Sequence, residues 1–170
     1  MTDSKTHVVF MAVGSNLGEK RENCRQGIHR FIAVTGSRIT GQSRYYRTAP
    51  VGFHDQDWFV NAAFRIETRC SPDMLLDGAK STEQDAGRTP GGIRFGPRAL
   101  DLDIIFYDDQ VVDRPGLKIP HPRMHFRRFV LQPICDIDPE FMHPVFGETV
   151  RTLLLKVDDP AQTVTALQDD

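Results

Sequence analysis

The sequence is sparing in cysteine, in excess charge of either sign, and in long apolar runs. Cys24, Cys70 and Cys135 are the three cysteines among 170 residues. An odd number with no close pair argues against a disulfide scaffold and against a C-x-x-C metal or redox site. Free thiols in a reducing cytosol fit better. Lys and Arg number 21 against 23 Asp and Glu, leaving a formal net charge of −2 and a pI near 6.3. That balance disfavours a general nucleic-acid binder, which carries an excess of basic side chains. It leaves anionic ligands open, because the distribution of charge matters more than its sum. The apolar run at residues 8–13 is shorter than a signal-peptide core of about 7–15 residues or a membrane span of about 20. A cytoplasmic, unanchored protein is the expectation. Phosphate-binding signatures are missing too: there is no G-x-x-x-x-G-K-[ST], and no G-x-G-x-x-G after a strand. Gly14-Ser15-Asn16-Leu17-Gly18 lacks the lysine and the following Ser/Thr, and reads as a tight strand-to-helix turn.

What is present is an ordinary globular composition, 39% hydrophobic and 26% charged. The length predicts one domain over residues 1–170, with an ordered core at about 8–157 and flexible tails at 1–6 and 158–170. Residues 8–13 read as a buried strand and 19–33 as a helix, with Cys24, Ile28, Phe31 and Ile32 on one stripe. Residues 39–47 read as a polar-rich strand. Across residues 58–68, Val60, Ala62, Phe64 and Ile66 share one face, and Phe59, Asn61, Ala63, Arg65 and Glu67 the other. Ser71-Pro72 caps a helix running to about Asp85. A glycine- and arginine-rich loop at 87–98 leads into a strand at 99–107, with Val111-Val112 expected to pair back across Asp108-Asp109. One or two helices follow, one at about 148–156. The order β-α-β-β-α-β with C-terminal helical additions predicts an α+β, ferredoxin-like sandwich.

The sharpest chemical feature is Asp101-Leu102-Asp103 within a strand otherwise built of Leu100, Ile104, Ile105 and Phe106. Period two puts both carboxylates on one face, with Cα atoms about 6.5–7 Å apart. Two like charges so placed repel each other, and one or two divalent cations would relieve the repulsion; oxygen ligands suit Mg²⁺. The alternative is a pair of aspartates facing water on an edge strand. The preceding loop weighs on the choice, because Arg88, Arg94 and Arg98 lie among Gly87, Gly91, Gly92 and Gly96. Arginine forks match phosphate oxygens, and glycines let a loop close over a ligand. Cations, phosphates and arginines converging on one site resemble the requirements of phosphoryl-type transfer. Phe59 beside Asn61 would suit a flat heterocycle, one stacking and the other pairing with its polar edge, although a lone phenylalanine is more often core. His121 and His125 have i, i+4 spacing, but Pro122 intervenes and no H-E-x-x-H is present, so zinc is not favoured.

Several segments stand in order: Gly14-Ser15-Asn16-Leu17, Tyr46-Arg47-Thr48-Ala49-Pro50, Phe59-Val60-Asn61-Ala62-Ala63, residues 95–103 (F-G-P-R-A-L-D-L-D), and Pro120-His121-Pro122-Arg123-Met124. Together they resemble the 6-hydroxymethyl-7,8-dihydropterin pyrophosphokinase family of folate biosynthesis over residues 8–155. The resemblance implies a ferredoxin-like fold and transfer of the β,γ-diphosphate of ATP to the pterin hydroxymethyl group, releasing AMP. It implies two Mg²⁺ ions held by Asp101 and Asp103, with Arg88, Arg98 and Asp103 in the catalytic group. Glu83, Arg88, Phe95, Arg98, Ile104, Lys118, His121 and Arg127 would contact ATP. Thr48, Val51, Phe59, Asn61 and Phe129 would hold the pterin. Phe59 stands where tyrosine is frequent in the family, and Phe95 where tryptophan is. No general base stands out; Asp103 as a metal ligand would be a weak one. The rival readings are another Mg-dependent transferase and an RNA-binding sandwich. The partners expected are the pterin and ATP, with no nucleic acid and no membrane, and a monomer is expected.

Overall fold

A computed structural model describes residues 2–52, 55–87 and 98–168. In chain order the elements are β1 (Thr2–Ser15), α1 (Lys20–Thr35), β2 (Arg38–Gln42), β3 (Tyr46–Thr48), β4 (Phe59–Cys70), α2 (Pro72–Asp85), β5 (Asp101–Tyr107), β6 (Val112–Arg114), β7 (Leu117–Ile119), α3 (Arg128–Ile137), α4 (Val150–Lys156) and β8 (Val164–Ala166). A 3₁₀ turn at Met124–Phe126 precedes α3.

The apolar run of β1 is explained by its two neighbours, since it lies between β4 and β5. A strand paired on both edges and covered on both faces must be apolar throughout. Val9, Met11 and Val13 pack with Cys24, Ile28 and Phe31 of α1 and with Leu75 and Ala79 of α2. Phe10 packs on the opposite side with Val130, Leu131 and Ile134 of α3 and Val150 and Leu153 of α4. The alternation read in β4 holds: Val60, Ala62, Phe64 and Ile66 join the first cluster, and Ala63 the second.

The main sheet runs β5-β1-β4-β3-β8, with β2 also paired to β4, and all its pairings are antiparallel. With β2 and β3 as two halves of one strand, this is the ferredoxin-like β-α-β-β-α-β order, carrying α3 and α4 on the second face. Local chemistry sets the boundaries. Ser71 Oγ accepts the Met74 N–H at 3.3 Å and Pro72 opens α2. Gly36, with φ +64°, closes α1 in the left-handed conformation and donates its N–H to Ile32 O.

Three expectations need correction. Residues 39–47 are not one strand: Ser43 breaks it, its Oγ accepting the Ala63 N–H at 2.8 Å in place of a regular ladder. Val112 does not pair back on β5. β6 forms a separate hairpin with β7, turned by Gly116 at φ +79°. The segment at 158–170, expected as a frayed tail, contains β8, with Val164 opposite Thr48 and Ala166 opposite Tyr46. Without it β3 would present a row of unpaired backbone groups, the usual reason an edge recruits another strand. At the other end, β1 already begins at Thr2. Among the described residues no helix is long and apolar enough to cross a membrane.

Candidate active site

The two aspartates owe their common face to β5, and the space before them to β1. Register places Gly14 opposite Asp101 and Ala12 opposite Asp103, so the small side chains of β1 leave that face of the sheet open. A cavity of about 160 Å³ lies there, lined by Ala12, Gly14, Asp101 and Asp103 among others. Arg98 donates from Nη1 to both Asp101 oxygens, at 3.1 and 3.4 Å. This pair is half-buried, with side-chain exposures of 23% and 24%, so solvent screens it less than a surface pair.

One wall of the cavity comes from β3 and β4. Thr48 lies opposite Phe59 in the ladder, and Asn61 two residues further along β4. Asn61 is buried and donates from Nδ2 to Thr48 Oγ1 at 2.6 Å. Its other amide atom lies so close to β1 that a Cβ on Gly14 would come within 2.3 Å of Asn61 Oδ1. Glycine is therefore required at position 14 for the amide to stand in the cavity. Thr48, Ala49 and Val51 complete this side. The opposite wall is α3 and the residue before it. Phe129 and Arg127 line the cavity, with the Arg127 guanidinium carbon 5.4 Å from the Phe129 ring centre. Burial chiefly, and then Arg123, push the Arg127 pKa down, while Asp103 and Asp101 act against the shift. An anion placed among these arginines would be held by groups already partly stripped of water.

A second cavity, about 290 Å³, wraps the outer side of β5. Leu102, Ile104, Leu117 and Lys118 line it, and Asp103 and His121 line both cavities. His121 accepts the Arg123 N–H on Nδ1 at 3.1 Å. Burial first, then Arg127 and Arg123, push its pKa down to about 4. The ring is thus neutral near pH 7, and with Nδ1 accepting, its proton sits on Nε2, which makes Nε2 a donor.

A family model described as 7,8-dihydro-6-hydroxymethylpterin-pyrophosphokinase matches residues 10–139. The 2-amino-4-hydroxy-6-hydroxymethyldihydropteridine pyrophosphokinase of Methylorubrum extorquens is 38% identical over 149 residues, covering 88% of this chain and 92% of that protein. The chain belongs to this family. The Pseudomonas aeruginosa pyrophosphokinase is 39% identical over 136 residues, covering 80% of this chain and 83% of its own length. The Schizosaccharomyces pombe folic acid synthesis protein fol1 is 35% identical over 95% of this chain, which spans only 22% of that longer protein. A crystal structure of wild-type Plasmodium falciparum HPPK-DHPS with pterin and p-hydroxybenzoate superposes with a TM-score of 0.70 at 15% identity, over 91% of this chain and 42% of the other. That similarity is one of fold.

Measured against the family expectation, the fold brings together Thr48, Val51, Phe59, Asn61, Phe129, Arg127, Arg98, Asp101, Asp103 and His121 around the first cavity. Ile104 and Lys118 line the second. Glu83 lines neither: it is buried on α2, and its Oε2 accepts the Leu102 N–H at 2.8 Å. Arg88 and Phe95 lie outside the described residues. Two residues were missed by sequence reasoning. Arg123 lines the first cavity, and its place in the Pro120–Met124 segment was the available signal. Asn16 is buried, donating from Nδ2 to Gln56 Oε1 and Asp57 O at 2.8 and 3.2 Å and accepting the Arg98 N–H on Oδ1 at 2.7 Å. Read as a turn residue, it is a joint between the two segments that flank the cavity.

Proposed function

We propose that this chain transfers the β,γ-diphosphate of ATP to the hydroxymethyl group of 6-hydroxymethyl-7,8-dihydropterin, with Mg²⁺, in folate biosynthesis. The observation that carries the reading is the position of Asp103 and His121 on the boundary between two cavities, with Asp101 beside them. Phe59 and Phe129 offer ring faces to a flat heterocycle, and Asn61 with Thr48 offers amide and hydroxyl groups to its edge. Across β5, Leu102, Ile104 and Leu117 form an apolar recess suited to an adenine ring, and Lys118 can meet phosphate. The phosphate chain then crosses the boundary, where Arg98, Arg123 and Arg127 bring positive charge.

The donor set fits magnesium. Asp101 and Asp103 supply oxygen ligands only, and among the described residues no group of three or more His, Cys, Asp or Glu forms a closed metal cage. Mg²⁺ characteristically takes one or two carboxylates and completes its shell with water and phosphate oxygens. When bound, one or two such ions would neutralise the phosphate oxygens and make the β-phosphorus easier to attack. Asp101 and Asp103 would hold them, with Arg98 orienting the Asp101 carboxylate. In the transfer, the pterin hydroxyl oxygen bonds to the β-phosphorus as the α–β bridging bond breaks. AMP leaves with the bonding electrons, and the hydroxyl proton is released. Arg88 and Arg98 would face the charge that develops on the leaving and transferred groups, and Nε2–H of His121 can donate to a phosphate oxygen. We assign Phe95 to the ATP side on the family resemblance, and Glu83 a role through β5 rather than by contact.

A cytoplasmic location and a monomeric state belong to the same proposal; the three free cysteine thiols support the first. Incubation with ATP, Mg²⁺ and 6-hydroxymethyl-7,8-dihydropterin should yield AMP and the pterin diphosphate in equal amounts. Stoichiometric ADP would overturn the reading.

A further inference from the structure

The two walls of the first cavity come from distant parts of the chain, β3 with β4 on one side and α3 on the other. One continuous segment, residues 157–167, touches both. At the α3 end, Arg128 lies between two cavity-lining residues, Arg127 and Phe129. Its side chain points the other way, donating from Nη1 to Gln162 O at 2.7 Å and Asp159 O at 3.3 Å, and from Nη2 to Val157 O at 2.8 Å. The backbone reciprocates: the Arg128 N–H donates to Gln162 Oε1 at 2.9 Å, and Gln162 Nε2 donates to Phe126 O at 2.8 Å. Gln162 thereby serves a free N–H in the first turn of α3, which no side chain at Arg127 caps. The segment then passes to the other wall. Thr163 O accepts the Ala49 N–H at 3.0 Å, Val164 lies opposite Thr48, and the Leu167 N–H donates to Tyr45 O at 2.8 Å. The family model matches residues 10–139, which takes in Arg128 but not the segment at 157–167 that it holds.

We propose that Arg128 is a positioning residue for the pterin pocket: it anchors residues 157–163 to the start of α3 and so fixes the distance between Phe129 and the Thr48–Ala49 wall. The proposal rests on the pterin reading above. The chemistry favours arginine specifically. A planar fork can serve three carbonyl oxygens from one fixed position, whereas a lysine ammonium on a flexible stem holds a single point. Loss of the fork leaves the α3 start free to move relative to β3, and the pterin is the ligand that must contact both.

The test uses the full chain with Arg128→Ala, Arg128→Lys and Gln162→Ala. KM is measured for each substrate, with kcat, the melting temperature, and fluorescence titration of 6-hydroxymethylpterin without ATP. Arg128→Ala should raise the pterin KM and Kd about 10-fold, the size expected for losing charge-assisted hydrogen bonds. The ATP KM should rise less than the pterin KM, because Arg127 beside Arg128 meets the phosphate chain while the adenine recess along β5 does not touch this segment. Arg128→Lys should fall between, and Gln162→Ala should move in the same direction. Combined with Arg128→Ala, Gln162→Ala should add less than its separate effect. Unchanged pterin affinity overturns the proposal, as does a parallel rise in both KM values that tracks the lost folded fraction. Should Arg128→Ala fail to fold, the same split in Arg128→Lys and Gln162→Ala decides. An unaltered chain that neither binds nor converts the pterin defeats the functional reading itself, a result distinct from intact binding that the variants leave untouched.

Discussion

Asn16 and Arg98 are joined twice: Asn16 N–H donates to Arg98 O at 3.0 Å, and Arg98 N–H donates to Asn16 Oδ1 at 2.7 Å. The link sets the backbone of Arg98 three residues before Asp101, so the ion pair with that aspartate is held from behind. The same Asn16 side chain grips Gln56 and Asp57. Asn16→Ala should leave the Arg98 N–H and Asp57 O without these partners, costing about 1–3 kcal/mol of stability. Turnover should fall for both substrates together, because segments on both sides of the cavity are released. Unchanged kcat/KM with a lowered melting temperature would reduce Asn16 to a purely structural joint.

Asp101→Ala and Asp103→Ala should abolish Mg²⁺-dependent turnover while circular dichroism shows the fold intact. Both side chains lie on the open face of an edge strand, so neither supports the core. Near-normal rates in both variants would end the metal assignment.

Gly14→Ala offers a test of the pterin side alone. The added Cβ would come 2.3 Å from Asn61 Oδ1, so the amide must turn out of place or the strands must shift. The pterin KM should rise about tenfold or more, with the ATP KM little changed. Equal effects on both substrates would argue that the strand, and not the amide, has moved.

Glu83→Ala should act on stability. It removes the acceptor of a buried N–H on β5, at a cost of about 1–3 kcal/mol. Glu83→Gln retains an acceptor and should cost less. A selective loss of ATP affinity at unchanged melting temperature would restore the family's expectation of a nucleotide contact.

The acid side of the stability profile should carry the signature of His121. Its folded pKa, pushed down to about 4 by burial and by Arg127 and Arg123, lies below the ordinary value of 6.5. Between those values the unfolded chain binds more protons, so stability rises with pH through that window. The contribution is complete above about pH 6.5 and is lost as pH falls towards 4. At most it reaches about 3 kcal/mol. His121→Gln should flatten the slope of unfolding free energy between pH 6.5 and 4, measured by urea denaturation; an unaltered slope would count against the burial argument.

Legibility in the sequence followed the range of the physics. The helix stripe of Cys24, Ile28 and Phe31, the alternation through β4 and the Ser71-Pro72 cap are local, and each appears as read. The shared face of Asp101 and Asp103 was legible because strand period is two. Other features depend on partners far along the chain. Nothing in Val164-Thr165-Ala166 announces that β3 needs an edge cover. Nothing near Glu83 announces that a backbone N–H at Leu102 will claim its carboxylate, and Asn16 reads as a turn residue until residues 56, 57 and 98 arrive beside it. The break at Ser43 likewise depends on Ala63. Pairwise spacing can show which residues share a face, but not which backbone groups of a distant strand lack partners.

The pairing of β8 with β3 also constrains how the protein comes into being. During synthesis β3 emerges roughly a hundred residues before the strand that covers it, so its outer edge stays open while the rest of the sheet assembles. An open edge beside a growing hydrophobic core is a template for pairing with another chain. Truncation before Val164 would make that transient state permanent, and self-association of such fragments would follow from the same hydrogen bonds that finish the pterin wall.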